Sequence, residues 1–149
     1  GVLRFDPMAM LPFCGYNMGD YFAHWLKVGA AADQEKLPKI FFVNWFRRDD
    51  NGRFLWPGYG ENSRVLKWVF ERLDGTAEAV ETAIGYLPAA GSLDTSGLDV
   101  SDDDMATLLS VDAEGWKSAL PQFETHLAQF GDKLPAQLTA QLQRLSAAL

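Results

Sequence analysis

Aromatic residues crowd one short stretch of this chain, and two turn signals cut that stretch into pieces. Phe41, Phe42, Trp45 and Phe46 close the run Lys39-Ile-Phe-Phe-Val-Asn-Trp-Phe46. Asp49-Asp50-Asn51-Gly52 follows, a sequence that reverses direction because Asn and Gly tolerate left-handed backbone angles. Arg53-Phe54-Leu55-Trp56 returns, and Pro57-Gly58-Tyr59-Gly60 breaks the chain again before a helical pattern. The apolar run 39–46 has the composition of a buried strand, and 53–56 reads as a short returning strand. Fifteen of the 19 Phe, Trp and Tyr residues lie in 1–75, so the unusual chemistry belongs to the first half.

Around this stretch the patterning is mostly helical. Residues 1–15 read as loop with a short extended start. Residues 16–28 form a helix, with Met18, Phe22 and Trp25 on one apolar face and Gly29 as its stop. Residues 61–73 form a second, ended by Asp74-Gly75. One short strand is expected within 82–88, ending at Pro88. Ser101 before Asp102-Asp103-Asp104 has the form of an N-cap with an acidic first turn. In the next helix Trp116, Leu120, Phe123, Leu127 and Phe130 recur every three or four residues, and Pro121 should kink it or mark its start. In the last, Leu134, Leu138, Leu142, Leu145 and Leu149 make a stripe, with Pro135 in the first turn.

Charge and composition exclude several classes. The net charge is −7, and the negative excess sits entirely in residues 76–149, with three Lys+Arg against 11 Asp+Glu. Such a chain binds nucleic acid poorly, because that binding is driven by neutralising phosphates. No run of eighteen apolar residues exists to span a membrane. One cysteine, Cys14, allows no internal disulfide and no cysteine-based zinc site, which accords with a cytoplasmic location; the residue reads as a small packed hydrophobe. The chain starts at Gly1 without an initiator Met, as expected of a piece of a longer protein. His24 and His126 lack metal-ligand spacing, and the three aspartates lack the spacing and glycine of a calcium loop. Arg47, Arg48 and Arg53 around the Asp-Asp-Asn-Gly turn read as local ion pairs.

Aromatic faces in loop surroundings suit a nucleobase, since stacking needs no hydrogen bonds. The Asn62 amide offers a donor beside an acceptor, which can match the O6 and N1–H edge of guanine. The helix starting there adds free backbone N–H groups. The same pattern by itself also fits an aromatic core closed by a glycine turn.

Three runs resemble the C-terminal region of the GTP-dependent phosphoenolpyruvate carboxykinases. They are Phe5-Asp-Pro-Met-Ala-Met-Leu-Pro-Phe-Cys-Gly-Tyr-Asn17, Phe42-Val-Asn-Trp-Phe-Arg-Arg48, and Gly52-Arg-Phe-Leu-Trp-Pro-Gly-Tyr-Gly-Glu-Asn-Ser-Arg64. The similarity is dense from Arg4 to about Pro88 and thin beyond. It implies a mixed α/β fold whose short strands and helices form the nucleotide-base-binding part of the carboxykinase, followed by a helical tail. The implied division is 1–90 for the guanine-nucleotide-binding part and 91–149 for an acidic helical tail packing on it.

The family converts oxaloacetate and GTP to phosphoenolpyruvate, GDP and carbon dioxide in gluconeogenesis, with manganese and magnesium. By position, Phe46 resembles one stacking ring and Tyr59 the opposite one, where many members carry Phe. Phe54 resembles the ring backing the pocket, Asn62 the contact to the base edge, and Gly60 and Glu61 the same nucleotide-contacting turn. The resemblance places no catalytic residue and no metal ligand in this chain. Phosphate loop, metal ligands, catalytic lysine, substrate arginines and active-site lid all fall upstream, and no Gly-x-x-x-x-Gly-Lys-Ser/Thr occurs here. The implied partners are a guanine nucleotide, oxaloacetate or phosphoenolpyruvate in the parent enzyme, and the rest of the parent chain. The alternative is a non-enzymatic interaction or structural module.

Overall fold

The computed structural model of the chain describes Asp6 and residues 9–149; the extended start expected at the N-terminus lies outside them. The chain divides into two compact units. One combines residues 1–38 with 112–149; the other is the continuous segment 39–111.

The first unit is helical. Helix α1 spans Met18–Ala31, α4 spans Ala113–Ala128 and α5 spans Ala136–Ala148. Asn17 caps α1, its Oδ1 accepting from the Gly19 N–H at 2.8 Å, while its Nδ2 donates to the Phe130 carbonyl at 3.0 Å. One side chain thus satisfies an orphan donor of the helix start and ties it to a segment more than a hundred residues away. Met18 and Phe130 are buried, and Phe22 meets Phe130 edge-on with ring centroids 5.3 Å apart. Gly19 sits there because a Cβ would lie 2.5 Å from the Lys133 carbonyl oxygen.

The expected helix from 16 to 28 is shifted. Gly29 does not stop it, because its φ is not positive, and Ala30-Ala31 carry the helix on. Trp25, assigned to the apolar face, is exposed, whereas Met18 is buried and Phe22 half-buried. Helix α4 continues through Pro121, where only one backbone donor is lost, and its start is fixed by Asp112 accepting from the Gly115 N–H at 2.9 Å. Trp116 stacks on Phe123 along it, and α4 packs against α5. The leucine stripe of α5 is half-buried throughout, with Pro135 as its cap residue instead of a first-turn one.

The second unit holds α2 (Asn62–Leu73), a hairpin of β1 (Ala79–Thr82) and β2 (Gly85–Pro88), and α3 (Asp102–Leu109). The hairpin pairs Val80 with Leu87 and Glu81 with Tyr86. The strand expected within 82–88 is β2, which ends at Pro88, and β1 precedes it as its unexpected partner; Thr82 Oγ1 closes the turn by donating to the Gly85 carbonyl at 2.6 Å. Helix α3 opens with a full capping box: Ser101 Oγ accepts from the Asp104 N–H, and the Asp104 carboxylate accepts from the Ser101 N–H.

The apolar run 39–46 is not a strand. It has no ladder partner among the described residues, Trp45 and Phe46 lie in a turn, and Ile40 and Phe42 are 85% and 97% exposed. Strand propensity expresses fit to a sheet, and among the described residues no strand pairs with this run. Trp45 is half-buried, and Phe41 meets the buried Trp68 edge-on at 6.3 Å. Residues 53–56 likewise form no strand beyond a single bridge between Arg48 and Phe54.

The two glycines of α1 give opposite expectations. Gly19→Ala should destabilise the chain by about 1–3 kcal/mol through overpacking against Lys133. Gly29→Ala meets nothing within 4 Å and should stabilise it by roughly 0.5–1 kcal/mol. Urea unfolding of both variants measures this; equal shifts of the two midpoints would refute the packing assignment.

Candidate nucleotide-base site

The site is built on a turn held by charge. Asp49 Oδ1 accepts from the Asn51 and Arg53 N–H groups, both at 2.9 Å, and Oδ2 accepts from Arg53 Nε at 3.0 Å. The Asp49 N–H donates to the Arg53 carbonyl, and the Leu55 N–H to the Arg47 carbonyl. Gly52, at φ 82°, makes the reversal possible. Arg53 also reaches Asp104 of α3, at 2.7 Å. Arg47 donates to the carbonyls of Leu108 and Ser110 and to Ser110 Oγ, a cation placed at the C-terminal end of α3 where carbonyls lack helical partners. Arg48 lies over the Phe54 ring, 4.1 Å from its centroid. Local ion pairing, expected for all three arginines, therefore holds for Arg53, whereas Arg47 binds carbonyls and Arg48 a ring.

These anchors deliver Leu55 and Trp56 into the core, where both are buried. Pro57 follows, then Gly58 with φ 114° and ψ −169°, angles at which a side chain would be strained. A 3-10 turn over Tyr59–Glu61 then leads into α2 at Asn62. Asn62 Oδ1 accepts from Trp56 Nε1 at 2.9 Å, across this loop. The Glu61 carboxylate is drawn back onto the helix by Arg64 at 2.7 Å, and Arg64 in turn donates to the Asp94 carbonyl at 2.9 Å.

The candidate residues fall into two groups. Phe46 and Phe54 are in ring contact, with centroids 6.2 Å apart and planes at 62°. Tyr59, Gly60, Glu61 and Asn62 form one continuous turn. Tyr59 is 93% and Phe46 71% exposed, and no ring lies against Tyr59 among the described residues. Phe46 and Tyr59 do not touch each other there. Trp56 was not among the sequence candidates. A donor-only indole six residues before an Asn, across a Pro-Gly-x-Gly loop, is the signal that marks it.

Among the described residues no three His, Cys, Asp or Glu side chains gather into a metal site. His24 is exposed, and His126 packs edge-on against Phe130. Cys14 is half-buried. No helix among the described residues is long and apolar enough to cross a membrane.

Exposed rings thus lie beside a glycine-shaped helix start, and comparison with known proteins supplies the family. The sequence profile described as "Phosphoenolpyruvate carboxykinase C-terminal P-loop domain" matches residues 1–148, and the chain belongs to that family. It is 57% identical over 148 residues to the phosphoenolpyruvate carboxykinase [GTP] of Treponema pallidum strain Nichols, covering 99% of this chain and 24% of the relative. To the enzyme of the same name from Neocallimastix frontalis it is 60% identical over 154 residues, covering 100% and 25%. To that of Chlamydia trachomatis serovar D it is 51% identical over 150 residues, again covering 100% and 25%. The chain thus spans about a quarter of the length of these relatives.

The turn has a defined acid response. Arg53 holds both aspartates below the ordinary Asp value of 3.8: Asp49 first through its backbone N–H, Asp104 first through its guanidinium. Depressed carboxyl pKa values contribute stability that is present above 3.8 and is lost as pH falls through the lower folded values. Arg53→Ala keeps the backbone N–H, so it should raise the Asp104 midpoint more than that of Asp49. Carbon-13 titration of the side-chain carboxyls reads this directly; an Asp104 midpoint unmoved by Arg53→Ala would falsify the assignment.

Proposed function

We propose that this chain is the guanine-binding part of a GTP-dependent phosphoenolpyruvate carboxykinase, and that the complete enzyme converts oxaloacetate and GTP to phosphoenolpyruvate, GDP and carbon dioxide in gluconeogenesis. Family membership over residues 1–148 carries the reading and disfavours a purely structural or interaction module. In this reading nucleotide binding belongs to residues 1–90, with its side chains drawn from the 39–111 unit, and residues 91–149 are the supporting helical tail. Manganese and magnesium would be held by the rest of the enzyme, and the cytoplasm is the proposed location.

The roles follow from exposure and chemistry. Phe46 and Tyr59 present open ring faces on which a base stacks. Phe54, steadied by Arg48, backs Phe46. Gly60 and Glu61 form the turn against the nucleotide, and Asn62 meets the base edge. Phosphoryl transfer needs metal and cationic groups positioned around the phosphates. The described residues gather no such metal cluster, so this chain should show no turnover of oxaloacetate with GTP and manganese. Turnover above a buffer blank in rigorously purified chain would refute that.

Stacking does not distinguish purines, because every base has a π face. In the complete enzyme Tyr59→Ala should weaken GDP and ADP together, by about 1–3 kcal/mol. Asn62→Ala should weaken GDP more than ADP, narrowing the preference by roughly 1–3 kcal/mol. Calorimetric titration with both nucleotides decides between the roles; a Tyr59→Ala variant that alters only selectivity contradicts them.

A further inference from the structure

Asn62 is held by a partner that can bind only one end of its amide. The oxygen and nitrogen of a carboxamide are nearly isosteric, so the way an Asn faces is decided by its hydrogen-bond partners. The partner here is the Trp56 indole Nε1–H, 2.9 Å from Oδ1. An indole N–H is a donor only and cannot face the Nδ2 amino group, which confines the amide to one of its two orientations. Nδ2, two donors, has no hydrogen-bond partner among the described residues and is not a buried unpaired atom. The Asn62 backbone N–H is engaged by the Tyr59 carbonyl, so Nδ2 is the free polar donor at this position.

Trp56 is itself fixed. Its side chain is 5% exposed, it follows the buried Leu55, and it lines an apolar cavity of about 150 Å³ with Trp45, Val65 and Leu87. The turn that sets it is pinned by the Leu55 N–H to the Arg47 carbonyl.

We infer that Trp56 is a positioning residue for base selectivity, holding the Asn62 amide with its acceptor inward and its donor outward. The inference rests on the reading of Asn62 as a base contact. An outward donor matches the O6 acceptor of a 6-oxopurine and opposes the 6-amino donor of adenine. A carbonyl oxygen accepts two hydrogen bonds, so the indole leaves room for the guanine N1–H as well. Without the indole the amide turns over and offers Oδ1 to an adenine amino group. One side chain then serves either base, and the discrimination disappears although Asn62 is intact.

The test uses the complete enzyme and Trp56→Phe, which keeps an aromatic ring in the core and deletes the donor. GDP and ADP affinities are measured for wild type, Trp56→Phe, Asn62→Ala and the double variant. Trp56→Phe should narrow the GDP-over-ADP ratio by about tenfold, and the double variant should be no narrower than Asn62→Ala alone. A general packing defect would instead lower both affinities and keep the ratio. A wild-type ratio in Trp56→Phe, beside an Asn62→Ala that loses it, overturns the inference and leaves the base contact standing. An Asn62→Ala that keeps the ratio removes the base contact first, and the inference with it. Should Trp56→Phe not fold, nitrogen-15 spectra of the wild type decide. The Trp56 indole N–H must stay protected from exchange in the GDP complex while the Asn62 amide protons shift. An indole N–H that becomes freely exchanging when GDP binds overturns the inference.

Discussion

The 39–111 unit depends on arginines that hold an irregular segment in place. Between Lys39 and Gly58 there is almost no regular structure to fix the backbone. Three cations do so instead, each with a different partner: carboxylates for Arg53, helix-terminal carbonyls for Arg47, an aromatic face for Arg48. Exposed ion pairs usually contribute little. Here they act together with the backbone bonds that Asp49 accepts, and the result places Leu55 and Trp56 in the core. From there Trp56 reaches Asn62 at the start of α2. The precision of the candidate site therefore comes from a chain of polar contacts anchored on α3, not from a sheet.

Helices were legible in the sequence wherever two signals agreed. Ser101 followed by three aspartates states both a cap and a favourable charge at a helix start, and α3 begins there. The leucine stripe of α5 states its buried face, and the structure half-buries every member. Gly29 misled because glycine ends a helix only where the backbone turns left-handed, and sequence does not report φ. The aromatic run 39–46 misled for a related reason. Composition measures the tendency to be covered, and what covers a residue is a property of its neighbours; Phe42 is almost fully exposed in this chain.

The candidate site was legible in its parts but not in its connections. The glycine loop and Asn62 can be named from residue type and order, whereas Phe46, Phe54 and Tyr59 are singled out by the family resemblance. The bond from Trp56 to Asn62 and the retraction of Glu61 by Arg64 are tertiary facts. Arg47 shows the difficulty most plainly. Beside two aspartates it looks like half of an ion pair, yet its partners are carbonyls some sixty residues further along the chain.

Asp104 carries two duties with one carboxylate. Both oxygens receive the Arg53 guanidinium, and Oδ2 also completes the capping box of α3. Fraying the first turn of α3 therefore removes one of the two carboxylates of Arg53, and loosening the Asp49 turn removes from Asp104 the guanidinium that lowers its pKa. The two segments, fifty residues apart in sequence, are thus joined through one carboxylate. An opening of either segment breaks a contact that the other makes, so the turn that leads to the candidate site shares a carboxylate with a helix that carries none of the candidate residues.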